Sequence, residues 1–465
     1  QTYQERLRFS NVLDFDDLIF FAVRVLRDSP AARKYWQRRF GQLLVDEYQD
    51  TSTSQYELLR LLAAESRNIF VIGDDAQSIY SWRRADYRNI LNFERDWPEA
   101  KVVLLEENYR STPEILSAAN YLIAKNQDQK PKSLWTKNPT GSRPAVSAHE
   151  SGRAEAEFIA GEAASLRASG YAWRDICLLY RTNAQSRALE EALLEHVIPY
   201  AIIGGIRFFS RREIKDLIAY LRYLLNPDDA LALKRIVNVP PRGIGPKTLL
   251  AYLSRRTGSL SPKEQRNIAS FDSVMARLRG GMAERTLASF MNFLIKTIRY
   301  KEYLADSRDG ESRIENVGEL VSVARKFDAL PISEAAERLL EEVALLSAEE
   351  ESAGDGDRVR LMTLHAAKGL EFPAVFVTGW EEGLLPHAKA ITASRAELEE
   401  ERRLAYVGMT RAKERLYLTW AITRTIFGEQ QVNMPSRFLR ELPEELLAGH
   451  NHLPDESEVY LVDES

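Results

Sequence analysis

An apolar run that ends in two acids constrains this chain more than any other stretch. Leu43–Val45 leads directly into Asp46 and Glu47 within Gln-Leu-Leu-Val-Asp-Glu-Tyr-Gln-Asp-Thr. The pattern predicts a buried parallel strand whose carboxyl end opens on a crevice, which is where α/β sheets bind ligands. One carboxylate there can hold Mg²⁺ on a nucleotide, and its neighbour can orient or deprotonate a water. Taken alone, the motif also fits a strand that ends in a solvated acidic turn.

Strand and helix patterns alternate along much of the chain, which predicts an α/β fold with parallel sheets. The predicted strands are Leu43–Val45, Ile69–Ile72, Val102–Leu105, Ile176–Tyr180, Val359–Thr363, Ala374–Thr378 and Arg415–Thr419. The predicted helices cover 1–40, 54–64, 153–168, the segment from Pro113 and nearly all of 205–346. Residues 126–152 are predicted to be loop, and the acidic stretch 347–357 a flexible junction. The simplest architecture is a second α/β domain interrupted by a helical insertion.

Length and composition limit the class of protein. The 465 residues suggest about three domains, and the net charge of −5 means that any surface for a polyanion must be local. The single cysteine, Cys177, excludes an internal disulfide; it is predicted to be a buried, inert thiol in a reducing, cytoplasmic protein. No apolar run approaches the roughly 18 residues of a membrane span, and no signal peptide is visible, so we expect no membrane partner.

The tract from Gly73 to Arg83 follows the second predicted strand. Gln77 can sense a γ-phosphate or position a water. Tyr80 and Trp82, beside Arg83, can form a stacking platform for single-stranded bases. Two core aromatics would be an equally good interpretation of this tract alone.

Three further tracts carry candidate nucleotide ligands, each expected at the end of a strand. In Asn108-Tyr109-Arg110 the arginine can bind a phosphate and the tyrosine can stack on a base, although a surface arginine is the alternative. In the tract from Thr363 to Phe372 a lysine and a glycine can approach phosphates, Glu371 can accept from a ribose hydroxyl, and His365 by itself is more often structural. In the last tract, Tyr406–Lys413, Arg411 is a candidate arginine finger.

A glycine-rich turn at Gly243-Ile244-Gly245-Pro246-Lys247-Thr248 superficially looks like a phosphate-binding loop. That loop requires Gly-x-x-x-x-Gly-Lys-Ser/Thr between a strand and a helix. Here Pro246 separates Gly245 from Lys247, and prolines precede the turn. A turn between helices that contacts duplex DNA through Gly243 and Gly245 fits better, and a plain turn between helices fits nearly as well.

These tracts, in this order, resemble the UvrD/PcrA/Rep family of superfamily 1 DNA helicases. The resemblance runs through nine tracts: Val45–Thr51, Ile72–Arg83, Glu107–Thr112, Tyr180–Arg187, Gly204–Asp216, Val239–Gly245, Val359–Phe372, Glu382–His387 and Leu404–Lys413.

The resemblance implies roles for individual residues. Asp46 and Glu47 would be the Mg²⁺ ligand and the catalytic base, with both carboxylates at the metal. Gln77, Arg110 and Arg411 would contact the γ-phosphate of ATP, Tyr109 would stack on adenine, and Glu371 would meet the ribose. The single-strand path would be lined by Tyr80, Trp82, Arg83, Asn183, His387 and Phe427, and His365 would couple that path to the nucleotide.

The resemblance also implies a domain organisation of two RecA-like motor domains, each with an inserted subdomain. Residues 1–40 would be the tail of the first insertion, and 41–106 the remaining part of the first motor domain. Residues 107–203 and 356–450 would form the second motor domain around the helical insertion 204–355, followed by a tail at 451–465.

Two departures from the family pattern qualify the expected activity. Ala76 and Arg84 stand where the family often has an acidic residue and a glycine, and no phosphate-binding loop occurs in the sequence. The chain, which starts at Gln1, is therefore expected to be an N-terminally truncated part of an ATP-dependent 3′–5′ DNA helicase, inactive by itself. Its expected partners are single-stranded DNA, a single-strand/duplex junction and DNA-repair proteins. A non-enzymatic DNA- or partner-binding remnant, or a helicase–nuclease subunit, is the alternative.

Overall fold

A computed structural model describes residues 2–204, 207–254, 256, 258, 260–307, 309–348, 356–426 and 429–449. We call residues 2–100 the small lobe, residues 107–204 together with 356–449 the main lobe, and residues 207–348 the helical insertion.

The described strands form two sheets. They are β1 (Leu43–Val45), β2 (Ile69–Val71), β3 (Ala145–Ser151), β4 (Ile176–Tyr180), β5 (Tyr200–Ile202), β6 (Val359–Thr363), β7 (Phe372–Val377), β8 (Ala412–Ile426) and β9 (Glu429–Val432).

Helices cover the sheets and build the insertion. In the small lobe they are α1 (Thr2–Phe9), α2 (Phe15–Asp28), α3 (Pro30–Arg39), α4 (Thr53–Ala63), α5 (Arg88–Leu91) and α6 (Phe93–Asp96). The main lobe begins with α7 (Pro113–Ile123), α8 (Gly152–Ala168) and α9 (Ser186–Glu195). The insertion holds α10 (Arg212–Leu225), α11 (Ala230–Ile236), α12 (Pro246–Leu253), α13 (Pro262–Gly280), α14 (Leu287–Thr297), α15 (Tyr300–Ala305), α16 (Gly310–Arg325) and α17 (Ile332–Ala348). The main lobe resumes with α18 (Ala388–Ala393), α19 (Arg395–Met409) and α20 (Arg437–Arg440).

The main lobe is built on a seven-stranded sheet in the order β3-β8-β7-β4-β6-β5, parallel throughout except for β9, which pairs antiparallel with β8. Central strand β4 is buried along its length because helices cover both faces. Ile176 and Leu178 pack with α8 and α9, whereas Cys177 and Leu179 pack with α7 and α19. The predicted α/β class is confirmed, as is the buried thiol, since burial raises the pKa of Cys177 well above its usual range.

The small sheet consists of β1 and β2, paired in parallel. The prediction of a buried strand is wrong for one of its faces, because Leu44 is 76% exposed. Side chains alternate across a strand, so Leu43 and Val45 pack under Tyr48 and Trp97 while Leu44 points outwards.

Three other sequence predictions fail. Residues 102–105 form no strand: their side chains are exposed, and no ladder partner occurs among the described residues. The predicted loop 126–152 contains β3 from Ala145 onwards, because that segment pairs with β8. The tract around Arg411 lies between the end of α19 and the start of β8, so it precedes a strand instead of following one.

The helical insertion has its own core, in which α10, α13, α14 and α16 contribute Tyr220, Phe271, Phe290 and Leu320. The predicted helical character of 205–346 is confirmed for the residues described. No helix in the described part of the chain is long and apolar enough to cross a membrane.

Candidate active site and nucleic-acid interface

The two acids after β1 stand at the start of a tight turn. Glu47 adopts the left-handed backbone conformation, with φ of 50°, and a 3-10 turn follows at Tyr48–Asp50. The Glu47 amide donates to Asp46 Oδ1 at 2.8 Å, and the Gln49 side-chain amide donates to Glu47 Oε2 at 2.6 Å. Both acids are exposed. The turn thus uses Oδ1 of Asp46, and Gln49 fixes the direction of the Glu47 carboxylate.

Gln49 also ties the end of β1 to the end of β2. Its Oε1 accepts from the Asp74 amide at 3.1 Å. A Cβ on Gly73 would lie 2.3 Å from that oxygen, so a larger residue there would displace the Gln49 side chain. The two acid-bearing strand ends are thereby held side by side.

The Gln77 side chain is oriented by a carboxylate. Its Nε2 donates to Asp74 Oδ2 at 2.8 Å, and Lys132 from the main lobe forms ion pairs with Asp74 and Asp75. Burial alone would lower the pKa of Lys132, but the two carboxylates outweigh it and raise that pKa. Because an ionised carboxylate only accepts, Gln77 keeps Oε1 available to accept from a water.

Lys368 connects the two lobes at the candidate catalytic acid. Its ammonium pairs with Asp50, lies 3.2 Å from Glu47 Oε2 and donates to the Gln77 carbonyl at 2.9 Å. The Lys368 side chain is only 7% exposed. Burial raises the pKa of Asp50, and the hydrogen bond from Lys368 opposes that rise. Lys368, predicted to approach a phosphate, is therefore paired with the carboxylates of Asp50 and Glu47 in this structure.

Arg110 and Glu371 come together on the main lobe. Arg110 Nε donates to Glu371 Oε2 at 2.7 Å, and Lys413 Nζ lies 2.8 Å from Glu371 Oε1. The hydrogen bond from Lys413, followed by that from Arg110, lowers the pKa of Glu371 to about 2. Tyr109 precedes Arg110 in the chain and its side chain is exposed.

Arg411 is buried, with only 1% of its surface exposed. Its guanidinium donates to the Val407 and Leu370 carbonyls at 2.9 and 3.1 Å. Burial, followed by the like charge of Arg110, lowers the pKa of Arg411 to about 10. The guanidinium is close to the Arg110 cluster but would have to leave two carbonyls to act as a finger.

The predicted stacking residues cluster where the small lobe meets the turn after β6. The ring centroids of Tyr80 and Trp82 are 6.2 Å apart, and His365 lies 6.4 Å from each. Trp82 is 61% exposed, and Arg83 lies 5.0 Å from the centre of its ring. The interpretation of Trp82 as a core aromatic is therefore wrong.

An open cleft of about 740 Å³ extends from Trp82 along the main lobe to the helical insertion, and Asn183, His365 and His387 also line it. Burial, followed by the charge of Arg181, lowers the pKa of His365 to about 4. The same two causes lower the pKa of His387. Both imidazoles are neutral near pH 7 and are available for stacking or hydrogen bonding.

Three residues predicted to contact DNA lie apart from this cleft or cannot be placed. Gly243 and Gly245 form a turn ahead of α12 in the helical insertion, where the Ile244 amide donates to Asn238 Oδ1 at 3.3 Å and Gly243 has φ of 69°. Phe427 lies outside the described residues. The rejection of a phosphate-binding loop at this turn agrees with the structure, because the preceding element is a helix, α11.

Asp50 and Lys132 were not among the residues predicted for the site. Asp50 lies in the tract that ends at Thr51, but its partner Lys368 is more than 300 residues away. Lys132 falls in a segment predicted only as loop, and nothing in its local pattern pointed to Asp74.

The donor set suits Mg²⁺ carried on a nucleotide better than a metal held by protein alone. The described residues contain no group of three or more His, Cys, Asp or Glu side chains that could hold a metal ion. Mg²⁺ is commonly bound by one or two carboxylates together with substrate phosphates. Asp46 is exposed, and only its Oδ1 accepts a hydrogen bond from the described residues, so it fits that role.

The fold and this site define a class: a parallel α/β protein that carries two exposed acids at a strand end, an oriented glutamine, an arginine–glutamate cluster and an aromatic cleft. The family model of the UvrD-like helicase C-terminal domain matches residues 103–423, and that of the UvrD/REP helicase N-terminal domain matches residues 1–98. The chain belongs to the UvrD-like helicase family. Because the N-terminal domain model is matched, the predicted truncation is not confirmed.

Curated relatives are similar along nearly the whole chain. The ATP-dependent DNA helicase PcrA of Bacillus subtilis (strain 168) is 42% identical over 473 residues, which covers 97% of this chain and 64% of the relative. PcrA of Staphylococcus aureus (strain NCTC 8325 / PS 47) is 41% identical over 476 residues, with the same two coverages. The chain thus spans about 64% of the length of these relatives.

Proposed function

We propose that this chain carries the hydrolytic acids and the strand-binding cleft of an ATP-dependent DNA helicase that moves 3′–5′ along single-stranded DNA. The observation that supports this most strongly is the position of Lys368. It touches Glu47 and Gln77 while His365, in the same turn, faces the aromatic cleft. Because the nucleotide site and the strand path share this short turn, a movement of the turn at one site would also move residues at the other.

In this proposal the roles divide between the lobes. Asp46 would hold the nucleotide-bound Mg²⁺, which would supply positive charge to the phosphates. Glu47, fixed by Gln49, removes a proton from the attacking water, and Gln77 accepts a hydrogen bond from that water through Oε1. Tyr109 stacks on adenine, Glu371 accepts from the ribose, and Arg110 reaches the γ-phosphate.

Arg411 joins Arg110 only after its guanidinium leaves the Val407 and Leu370 carbonyls. Closure of the two lobes around ATP is the step proposed to supply that movement. The DNA partner lies along Trp82, His365, Asn183 and His387, and a junction with duplex meets the Gly243–Gly245 turn.

The sequence contains no Gly-x-x-x-x-Gly-Lys-Ser/Thr, the motif that cradles β- and γ-phosphates. We therefore expect these 465 residues to bind single-stranded DNA without hydrolysing ATP by themselves. We also propose the motor-domain boundaries given above, DNA-repair proteins as partners and a cytoplasmic location.

Two measurements on the 465-residue chain test the proposal. Fluorescence anisotropy should show tighter binding of oligo-dT than of a blunt duplex of equal length, and ATP turnover should stay at background with saturating oligo-dT. Absence of single-strand binding would contradict the strand path. Robust DNA-stimulated ATP turnover would contradict the expectation that the chain cannot hydrolyse ATP without a phosphate-binding loop. It would also exclude a non-enzymatic remnant.

A further inference from the structure

The cleft that contains Trp82 is lined by more acidic than basic side chains, which is unusual for a surface that binds a DNA strand. Among the described residues that line it, the basic side chains are Arg181 and Lys389, whereas six side chains are acidic: Asp309, Glu311, Glu315, Glu397, Glu400 and Glu401. Binding a polyanion requires cations that can meet phosphates. A strand phosphate can meet either of these two lining cations only if that cation changes partner.

Arg181 is poorly suited to such an exchange. Its guanidinium makes a bidentate contact with Glu401, with N–O distances of 2.8 to 3.1 Å, and both side chains are largely buried. The Glu401 carboxylate also accepts from the His387 amide at 2.9 Å. Breaking a buried, hydrogen-bonded ion pair leaves an uncompensated charge and is costly.

Lys389 is better suited to exchange its partner, because its ion pair is exposed. Its ammonium forms an ion pair with Glu311, and the two side chains are 63% and 60% exposed. Exposed ion pairs contribute little free energy and exchange partners readily. Lys389 also lies two residues after His387, whose Nδ1 accepts from the Lys389 amide at 3.3 Å, so it belongs to the same wall as the predicted strand contacts.

The carboxylate on Lys389 comes from a different part of the molecule. Glu311 lies in the first turn of α16, in the helical insertion, and the adjacent Ser312 Oγ is 3.5 Å from Asn183 Nδ2. Glu315, one turn further along, lines the same cleft, and burial followed by the charge of Glu311 raises the pKa of its carboxyl. The first two turns of α16 thus place carboxylates opposite the wall formed by Asn183, His387 and Lys389.

We propose that Lys389 is a phosphate-binding residue of the single-strand path and that Glu311 occupies the phosphate position while no strand is bound. The inference rests on the proposed function, because it assumes that DNA uses this cleft. A strand phosphate replaces the Glu311 carboxylate on Lys389, so that one anion is exchanged for another and the insertion loses a contact to the main lobe. Glu311 is a competitor that weakens strand binding.

Equilibrium binding of fluorescein-labelled oligo-dT to the 465-residue chain, measured by anisotropy over a salt series, tests this proposal. Lys389→Gln should weaken binding and reduce the slope of log K against log salt by about 0.7, the value for one phosphate contact on a single strand. Lys296→Gln, which removes the same charge from an exposed position on α14 outside the cleft lining, should leave the slope unchanged.

Glu311→Gln should tighten binding by about two- to fivefold, the range expected for an exposed ion pair. The matched control is Glu302→Gln, an exposed acid on α15 that does not line the cleft. In the Lys389→Gln background Glu311→Gln should no longer increase the affinity for oligo-dT, because the ammonium for which Glu311 and the phosphate compete is absent. Circular dichroism on each variant checks that the fold is retained.

The outcomes separate this inference from the proposed function. Equal gains for Glu311→Gln and Glu302→Gln, or a gain that persists without Lys389, would reduce the effect to net charge and overturn the inference. An unchanged salt slope in Lys389→Gln would do the same. If neither the wild-type chain nor Glu311→Gln binds oligo-dT, the strand path itself fails and the inference fails with it.

Discussion

The ammonium of Lys368 lies 3.2 Å from Glu47 Oε2, across the boundary between the main lobe and the small lobe. Lys368 follows His365 by three residues, and the Tyr80 hydroxyl donates to the His365 carbonyl at 3.2 Å. One turn after β6 therefore touches the candidate catalytic acid on one side and the stacking aromatics on the other. Movement of this turn is the simplest physical link between a bound strand and the acid.

Replacement of Lys368 should destabilise the chain strongly. Lys368→Gln leaves the largely buried carboxylate of Asp50 without its cation, and breaking such a pair costs about 3–5 kcal/mol. Urea unfolding measures the loss. Arg24→Gln, which breaks an exposed pair with Asp28, should change the unfolding free energy by less than about 1 kcal/mol. Similar costs for the two variants would contradict the assignment of Lys368 as a buried contact between the lobes.

The cost of Lys368→Gln should also depend on pH. Burial already raises the pKa of Asp50 in the folded chain, and loss of Lys368 removes what opposes that rise. A carboxyl whose folded pKa is raised loses stability as pH increases through that pKa. The difference from wild type should therefore be larger at about pH 8 than at about pH 5, and Asp50→Asn in the same background should abolish the trend. A cost independent of pH would show that Asp50 is not the group left unpaired.

Arg84 stores strain that glycine would release. It adopts φ of 66°, which costs an L-residue about 1 kcal/mol or more and costs glycine nothing comparable. Arg84→Gly should raise the free energy of unfolding by about 1 kcal/mol, whereas Arg84→Ala should not. Thermal or urea unfolding of both variants decides the matter. An equal gain for the two would attribute the effect to the arginine side chain instead of the backbone.

Trp82 should contribute directly to strand binding. Stacking on an aromatic is worth about 1–3 kcal/mol per base, and Trp82 presents an exposed ring beside Arg83. Trp82→Ala should weaken oligo-dT binding by that amount in an anisotropy titration. Trp135→Ala, which truncates an exposed tryptophan that does not line the cleft, should leave the affinity unchanged. Equal affinities for Trp82→Ala and wild type would remove Trp82 from the path.

Local patterns predicted the strands and helices that need only an apolar surface to pack against. They failed where a segment forms a strand only if one particular strand lies beside it. Strand β4 and the helical insertion follow from apolar runs and helical spacing that suit any covered sheet or helix core. Residues 102–105 have the same apolar character but pair with no strand in the described part of the chain, where they are irregular. Pairing of this kind depends on the arrangement of the whole domain.

The same distinction applies to the site. Glu47, Gln77 and Trp82 could be selected because each stands in a recognisable tract. That Arg411 is buried against carbonyls, and that Lys132 reaches Asp74, depends on contacts between segments distant in the chain. No spacing in the sequence encodes those contacts.

The central claim is that Glu47 is the catalytic base of an ATP-driven motor, and hydrolysis by Glu47→Gln in a protein that joins this chain to a phosphate-binding loop tests it most directly. Loss of a general base should lower DNA-stimulated turnover by about 10²–10⁴-fold while ATP binding persists. Glu65→Gln, an exposed acid on the same lobe, should turn over normally. Retained hydrolysis by Glu47→Gln would contradict the account.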